Sequence, residues 1–338
     1  MKILHVVGSL SDGGAALGAK VLHEQLLKLG VNSKILYLKD TNASFSRGSI
    51  NSGNFFENIS AFFWQRVESK FLSLIFTKKT PAIFTTGLFS WSFKKYVNYY
   101  NIDIVNLHWP GYGCFSFSLF SKIKVVFTMR DMWLATAGCH YPMNCTNYMN
   151  TCSNCPALST NNSNLINFFT KTLFMRKKRL IDRAKNFEIV SISKFVTSFQ
   201  NSPILASKKI HLIENFVDLD HVKDATPILK WAKSEVLKKP RLLIPKKTKE
   251  PWKGYDDLEL CLSELTEIYE VCQFGRGDAK PSIKDYGFIN SRQELYGLFK
   301  SISVFICPTK YESFGKVIIE SGAAGTPVII QKSAKIGI

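Results

Sequence analysis

Glu312 and Glu320 are the residues whose type and spacing point most directly to chemistry. They lie in the stretch Pro308-Thr-Lys-Tyr-Glu-Ser-Phe-Gly-Lys-Val-Ile-Ile-Glu-Ser-Gly-Ala-Ala-Gly-Thr-Pro327. At a helical rise of about 1.5 Å per residue, their carboxylates stand roughly 12 Å apart at most. That separation suits two parts of one extended ligand rather than a shared proton. The apolar run 303–307 reads as a buried strand, Pro308 ends it, and a helix begins near Gly315. The amides of Phe314, Gly315 and Lys316 then form a helix N-terminus, a natural seat for phosphate. An ordinary strand-loop-helix unit with two solvated glutamates would show the same pattern, so context has to decide.

Other candidates precede this stretch. Lys253-Gly254 follows a basic loop containing Lys246, Lys247 and Lys249, and Gly275-Arg276-Gly277 follows a predicted strand over 269–274. In the first half, Gly13-Gly14 lies between a predicted strand at 2–7 and a helix at 15–29. A plain glycine-rich turn reads the same way, and the spacing is not that of a dinucleotide fingerprint. The strand 101–109 ends at His108-Trp109, and the strand 124–129 runs into Arg130-Asp131. Residues just past strand C-termini line the ligand crevice of open α/β sheets, which makes His108, Arg130 and Asp131 candidates. A structural histidine fits His108 equally well.

Cys139, Cys145, Cys152 and Cys155 form a separate group, ending in Cys-x-x-Cys. Thiolates at such spacing can converge on a structural zinc. Packed free thiols, a redox pair and a disulfide fit the same spacing.

The elements that must position these residues alternate strand with helix in both halves, which predicts two doubly wound α/β domains. The predicted division is 1–218, with a Cys-rich insertion at 138–156, a linker at 219–240, and 241–338. The chain has 338 residues, 46% hydrophobic and 21% charged, in the range of soluble globular proteins. Its net charge of +18 points to anionic partners, or simply to a soluble basic surface. No apolar run approaches the roughly 18 residues of a spanning helix. With no export signal legible, the cytoplasm is the expected compartment. Residues 54–79 are rich in aromatics and amphipathic, suited to core packing or to a membrane interface. The basic run 171–185 suits a solvated face or an anionic surface.

With these residues in place, nearly the whole chain resembles the retaining glycosyltransferases of the GT-B fold, family 4. It is most similar to their colanic-acid, surface-polysaccharide type. Gly13-Gly-Ala-Ala16, Leu107-His-Trp109, Asp131-Met-Trp133, Gly138-Cys-His-Tyr141, Cys152-Ser-Asn-Cys-Pro156, Lys253-Gly254 and the pair Glu312 and Glu320 carry the resemblance. It implies a sugar moved from a nucleotide-sugar donor to a lipid-linked or saccharide acceptor, with retention, at the inner face of the cytoplasmic membrane. Glu320 would hold the ribose hydroxyls. Glu312 with Ser313, Phe314 and Gly315 would meet the donor sugar and phosphates. Lys253 would neutralise the leaving diphosphate, and Gly275 would let the backbone pass the nucleotide. Gly14, beside Gly13, and the strand-end residues of the first domain would face the acceptor. No cofactor is implied for catalysis, and no nucleic acid.

Three departures accompany the resemblance. Arg130 stands where that subgroup carries a histidine, and arginine cannot act as a general base. The usual arginine ahead of Lys-Gly is absent; Lys247 or Lys249 would take its place at the donor, less well, because a lysine lacks the bidentate fork. The sequence stops at Ile338, short of further α/β units, so the second domain reads as incomplete. A truncated, impaired remnant is therefore one alternative. A basic zinc-containing nucleic-acid binder is another, opposed by the α/β alternation.

Overall fold

Short apolar runs bounded by turn residues form the strands, and they are parallel throughout. The computed structural model describes residues 1–9, 13–39, 49–51, 63, 66–74, 84–88, 93–109, 123–158, 163–217, 219–228 and 239–337. The chain divides into two units, Met1–Glu214 and Asn215–Ile338.

The first unit carries β1 (Lys2–Ser9), α1 (Gly13–Lys28), β2 (Asn32–Lys39), β3 (Ser49–Asn51), α2 (Lys94–Tyr100), β4 (Ile104–His108) and β5 (Lys124–Met129). It continues through α3 (Ser163–Arg183), β6 (Phe187–Ser191), α4 (Lys194–Thr197) and β7 (Ile210–Leu212). The sheet order is β3-β2-β1-β4-β5-β6-β7. β1 pairs with β2 and β4 in parallel, Val6 facing Leu36 on one side and Leu107 on the other. Leu4, Val6, Ile35, Val105, Val125 and Ile189 are buried, as expected of a parallel sheet covered on both faces. The order reverses between β1 and β4, and ligands of open α/β sheets bind at such a reversal.

The second unit carries α5 (Leu219–Asp224), β8 (Arg241–Pro245), α6 (Tyr255–Ile268), β9 (Glu270–Phe274), β10 (Lys284–Asp285), α7 (Arg292–Lys300) and β11 (Val304–Cys307). β12 (Tyr311–Glu312), α8 (Lys316–Ala323), β13 (Val328–Ile330) and β14 (Lys335–Ile336) follow. Its main sheet runs β10-β9-β8-β11-β13, and β12 pairs with β14 in a separate small ladder. The reversal here lies between β8 and β11. Leu243, Cys272, Phe274, Tyr296, Phe299, Phe305 and Ile318 form the core on one face.

The strands expected at 2–7, 101–109, 124–129, 269–274 and 303–307 and the helix at 15–29 lie within a few residues of these bounds, whereas β3, α2, β10, β12 and β14 were not anticipated. Ser193 and Ser291 cap their helices, accepting from the amides of Val196 (3.1 Å) and Glu294 (3.3 Å). The 219–240 linker is the main correction. Residues 219–224 are helical, and Val222 and Ala225 enter the core of the second unit. Lys300 Nζ donates to the carbonyls of both, at 2.5 and 2.7 Å. The carbonyls at that helix end need donors and find one here, which a composition shift does not reveal. Part of the aromatic segment, 66–74, is helical, with Glu68 and Leu72 buried; most of the rest lies outside the described residues. Among the described residues no helix is long and apolar enough to cross a membrane.

Candidate functional site

β11 ends at Cys307, and the chain leaves the sheet at Pro308 beside the turn Pro251–Lys253. Lys310 N donates to the Trp252 carbonyl at 2.7 Å, and the Thr309 hydroxyl lies 3.2 Å from the same oxygen. Gly254 closes the turn at φ +68°, and a Cβ there would stand 2.0 Å from the Pro308 carbonyl oxygen. Only glycine allows both the left-handed backbone and that approach. The result is a contact between side chains 59 residues apart: Lys253 Nζ meets Glu312 Oε2 at 2.7 Å. Thr309 Oγ1 stands 3.5 Å from the same oxygen. β12 pairing with β14 fixes the backbone of Glu312, with Ile336 as its partner.

Gly315, at φ +83°, starts α8. The first helical donors are the amides of Ile318 and Ile319, both directed to the Gly315 carbonyl. Amides ahead of them have no intrahelical acceptor, and the partial positive charge of a helix start gathers there. Ser313 and Phe314 are buried beside this end. Glu320, second turn of α8, is 4% exposed. Its Oε1 accepts from Arg292 Nη1 at 2.5 Å, with Lys316 Nζ at 3.9 Å. The sequence reading missed Arg292, Thr309 and Lys316. Lys316 was recoverable, because i,i+4 spacing from Glu320 puts both on one helix face. Arg292 has no local signal, since the fold alone brings α7 to α8.

Gly275 ends β9 at φ +97° with its amide donating to the Gly287 carbonyl, and a Cβ there would touch nothing within 4 Å. Lys247 is otherwise engaged: its Nζ pairs with Glu259 at 2.7 Å and Asp256 at 3.2 Å, both on α6.

In the first unit the strand ends bring His5, His108 and Arg130 together. Arg130 Nη2 lies 3.5 Å from His108 Nδ1, and His108 Nε2 lies 3.1 Å from His5 Nδ1. Arginine only donates, which assigns His108 its proton on Nε2 and makes His5 Nδ1 the acceptor. Burial holds His5 down at about 3, with His23 and Arg130 adding to it. Burial, then Arg130 and His5, holds His108 well below the usual histidine range. Burial alone brings Arg130 to about 10. Gly18 on α1 makes the room, since a Cβ there would stand 2.4 Å from Arg130 Nη1.

Asp131 is equally enclosed. Oδ1 accepts from Trp133 N at 2.9 Å, and Oδ2 pairs with His140 Nδ1 at 2.6 Å. His140 Nε2 reaches Thr85 Oγ1 at 3.0 Å. The strand-end candidates thus do come together, but buried: His108 is 1% exposed and Asp131 6%. This favours a structural part for them over direct contact with substrate. Gly13, at φ +76°, and Gly14 open α1, and a Cβ on either would meet nothing within 4 Å.

The basic run 171–185 forms a largely solvated face, with Lys171, Arg179, Arg183 and Lys185 exposed, but one of its residues departs from it. Lys177 points inward, 2% exposed, with Nζ donating to the carbonyls of Trp133 (2.7 Å) and Thr136 (2.8 Å). It also lies 3.5 Å above the Trp133 ring. Burial lowers it to about 7.

Cys139, Cys145, Cys152 and Cys155 are free thiols. Burial pushes Cys152 up to about 12 and raises Cys139 and Cys155, with neighbouring thiols adding to each shift. The Ala137 amide donates to Cys152 Sγ at 3.3 Å. Among the described residues no group of three or more His, Cys, Asp or Glu side chains is arranged to hold a metal ion. The donor set suits zinc, whereas the arrangement gives the zinc expectation no support.

Residues 278–336, which include both glutamates, match the family model for glycosyl transferases group 1. An uncharacterized 41.2 kDa protein in the cps region of Klebsiella pneumoniae is 27% identical over 141 residues, 39% of either chain. The match thus spans well under half of that relative. Among solved structures, sucrose-phosphate synthase of Thermosynechococcus elongatus superposes with a TM-score of 0.65 at 15% identity, over 99% of this chain and 82% of that one. HepE of Anabaena, solved with UDP and glucose, gives 0.57 at 13% identity over 99% and 82%. The chain therefore has the GT-B fold of these glycosyltransferase structures, and its second unit carries the group 1 signature.

Proposed function

We propose that this protein is a retaining glycosyltransferase that moves a sugar from a nucleotide-sugar donor to a lipid-linked or saccharide acceptor in surface-polysaccharide assembly. One observation carries the reading. Beside the sheet reversal of the second unit, two carboxylates each have one oxygen held by a cation, near a helix start. Lys253 holds Glu312 and Arg292 holds Glu320. Such a row presents positive charge for a diphosphate and carboxylate oxygens for hydroxyls on either side of it. The UDP in the HepE structure, the group 1 match and the cps-region relative support the same reading.

In this reading Glu320 accepts from the ribose hydroxyls, and Glu312 accepts from a hydroxyl of the donor sugar. The bond between the anomeric carbon and the phosphate oxygen breaks, and the nucleoside diphosphate leaves as an anion. Lys253 and the amides at the start of α8 stabilise the charge that develops. The acceptor hydroxyl forms the new carbon–oxygen bond on the face the phosphate leaves. Its proton passes to the departing phosphate oxygen, which preserves the anomeric configuration. The buried histidines of the first unit take no part in that transfer. Gly13 and Gly14 of the first unit would face the acceptor. The net charge of +18 favours work at an anionic membrane surface.

The test is calorimetry of the full chain with UDP, GDP, ADP and dTDP, followed by turnover of the matching nucleotide sugars. One diphosphate should bind, and Glu320→Ala should weaken it by at least about tenfold, the worth of a hydrogen bond to a charged group. Absence of binding to all four overturns the reading. Salt-dependent binding to duplex nucleic acid in its place would favour the basic-binder alternative.

A further inference from the structure

We propose that Arg292 is a positioning residue for nucleotide recognition: it fixes Glu320 as a charged acceptor aimed at the ribose diol, without itself touching the nucleotide. The inference rests on the reading above and goes beyond it by assigning a role to α7.

Glu320 is 4% exposed, so its side chain has left water and its charge needs a partner. Arg292 supplies one across 28 residues of sequence, with Nη1 on Oε1 at 2.5 Å. Lys316 approaches the same oxygen only to 3.9 Å. Both cations therefore occupy Oε1. Among the described residues Oε2 makes no hydrogen bond, and it is not among the buried polar atoms sealed from solvent. One oxygen is fixed and the other stays open. An ionised carboxylate oxygen only accepts, and it can take two donors. Adjacent 2′- and 3′-hydroxyls are such a pair of donors.

Several features suit Arg292 to this task. It is the first residue of α7, directly after the Ser291 cap, so its backbone is set by the capped turn. Behind it, Tyr296 and Phe299 anchor the helix in the core of the second unit. Its guanidinium is permanently charged and meets the carboxylate through Nη1 alone, Nη2 being buried without a hydrogen-bond partner among the described residues, so a single contact holds Oε1 and keeps Glu320 ionised. A lysine in its place would keep the charge but carry it on a more flexible stem.

The test compares UDP with 2′-deoxy-UDP by calorimetry on wild type, Arg292→Met, Arg292→Lys, Glu320→Gln and the Arg292→Met/Glu320→Gln double variant. If another diphosphate binds in the screen above, that one and its 2′-deoxy analogue replace the pair. Wild type should prefer the ribonucleotide by about tenfold. Arg292→Met should lose about tenfold in UDP affinity and most of that preference, and Arg292→Lys should recover part of it. In the Glu320→Gln background, Arg292→Met should add less than about twofold, because the two side chains act as one unit. A merely structural ion pair would weaken both nucleotides alike and leave the preference intact, which would overturn the proposal. So would an undiminished preference in a folded Arg292→Met or Arg292→Lys protein, with folding checked by circular dichroism. If wild type binds UDP without a ribose preference, the inference fails while the nucleotide reading stands. If wild type binds no diphosphate, both fall.

Discussion

Asp131, just past the end of β5, and Glu320, in the second turn of α8, are both buried carboxylates, one in each unit, but they are finished differently. Asp131 has both oxygens engaged, by the Trp133 amide and by His140. Glu320 has one oxygen engaged by Arg292, and among the described residues the other makes no hydrogen bond. A carboxylate with a partner on each oxygen is already satisfied within the fold, so a ligand has little to add to it. An open one retains an acceptor that a ligand can complete. Burial by itself therefore does not distinguish the two carboxylates; what differs is whether each oxygen already has a partner inside the unit. Among the described residues the same contrast separates His108, whose two nitrogens are engaged, from Glu312, which is held on one oxygen.

The largest expected effect falls on the open side. Lys253→Ala should lower sugar transfer by about 10²–10³-fold, as the loss of one preorganised donor to a developing anion does. Its effect on stability should be small, because the Lys253–Glu312 pair is part-exposed and such pairs contribute about 0–1 kcal/mol. Measuring turnover and the denaturant midpoint on the same preparation checks both halves. A loss of stability matching the loss of turnover would erase the contrast.

On the closed side, Asp131→Ala should cost about 3 kcal/mol of unfolding free energy, since it leaves the Trp133 amide and His140 without their partner inside the unit. Nucleotide affinity of the folded fraction should not change. Urea unfolding followed by tryptophan fluorescence reads the first, and calorimetry reads the second. A folded Asp131→Ala protein of normal stability but reduced transfer would move Asp131 to the substrate.

A pH profile sharpens the comparison further, because the strongest ionisation shifts lie in the first unit. His5 is held at about 3 and His108 well below its usual value, so the unfolded chain binds more protons than the folded one as pH falls through 6.5. Stability should therefore drop on acidification from about pH 6.5 downward. Lys177, lowered to about 7, acts in the same sense higher up, and its contribution to stability rises as pH climbs from 7 towards 10. The thiols of Cys139, Cys152 and Cys155 are raised and act oppositely: above about pH 9 the unfolded chain loses protons that the folded one keeps. Stability should then peak between about pH 7 and 9. Chemical unfolding across pH 4–10 measures the curve. A flat acid limb would show that His5 and His108 are not buried neutral.

Both sheets, and the strand-loop-helix carrying the glutamates, were legible because they depend on local signals. Apolar runs, Pro308, the serine caps and Gly315 each act within a few residues. What the sequence concealed depends on side chains meeting across the fold. Arg292 reaches Glu320 over 28 residues, and Gly18 makes room for Arg130, just past a strand end more than a hundred residues later. Lys177 reads as one more surface cation in a basic run, yet it turns inward onto Trp133. Position past a strand end singled out His108 and Asp131, but it could not show that each meets partners inside the unit.

The smallest effect tests the one basic residue whose sequence-based role the geometry weakens. In the resemblance to group 1 enzymes, Lys247 would stand in for an arginine at the donor phosphates. In the structure its ammonium lies between Asp256 and Glu259, and Lys280 joins the same cluster through Glu259 at 3.0 Å. Those carboxylates raise its pKa and absorb its charge locally. A cation already matched by two acids attracts a diphosphate weakly, because the ligand must displace partners that are in place. Lys247→Ala should thus change UDP affinity by less than about threefold, against the tenfold expected for Arg292→Met. Glu259→Gln separates the two possible roles of Lys247. If it strengthens nucleotide binding by freeing the ammonium, Lys247 is a donor-site residue held in check by α6. If neither substitution moves the affinity, the positive charge at the phosphates comes from Lys253 and the start of α8 alone.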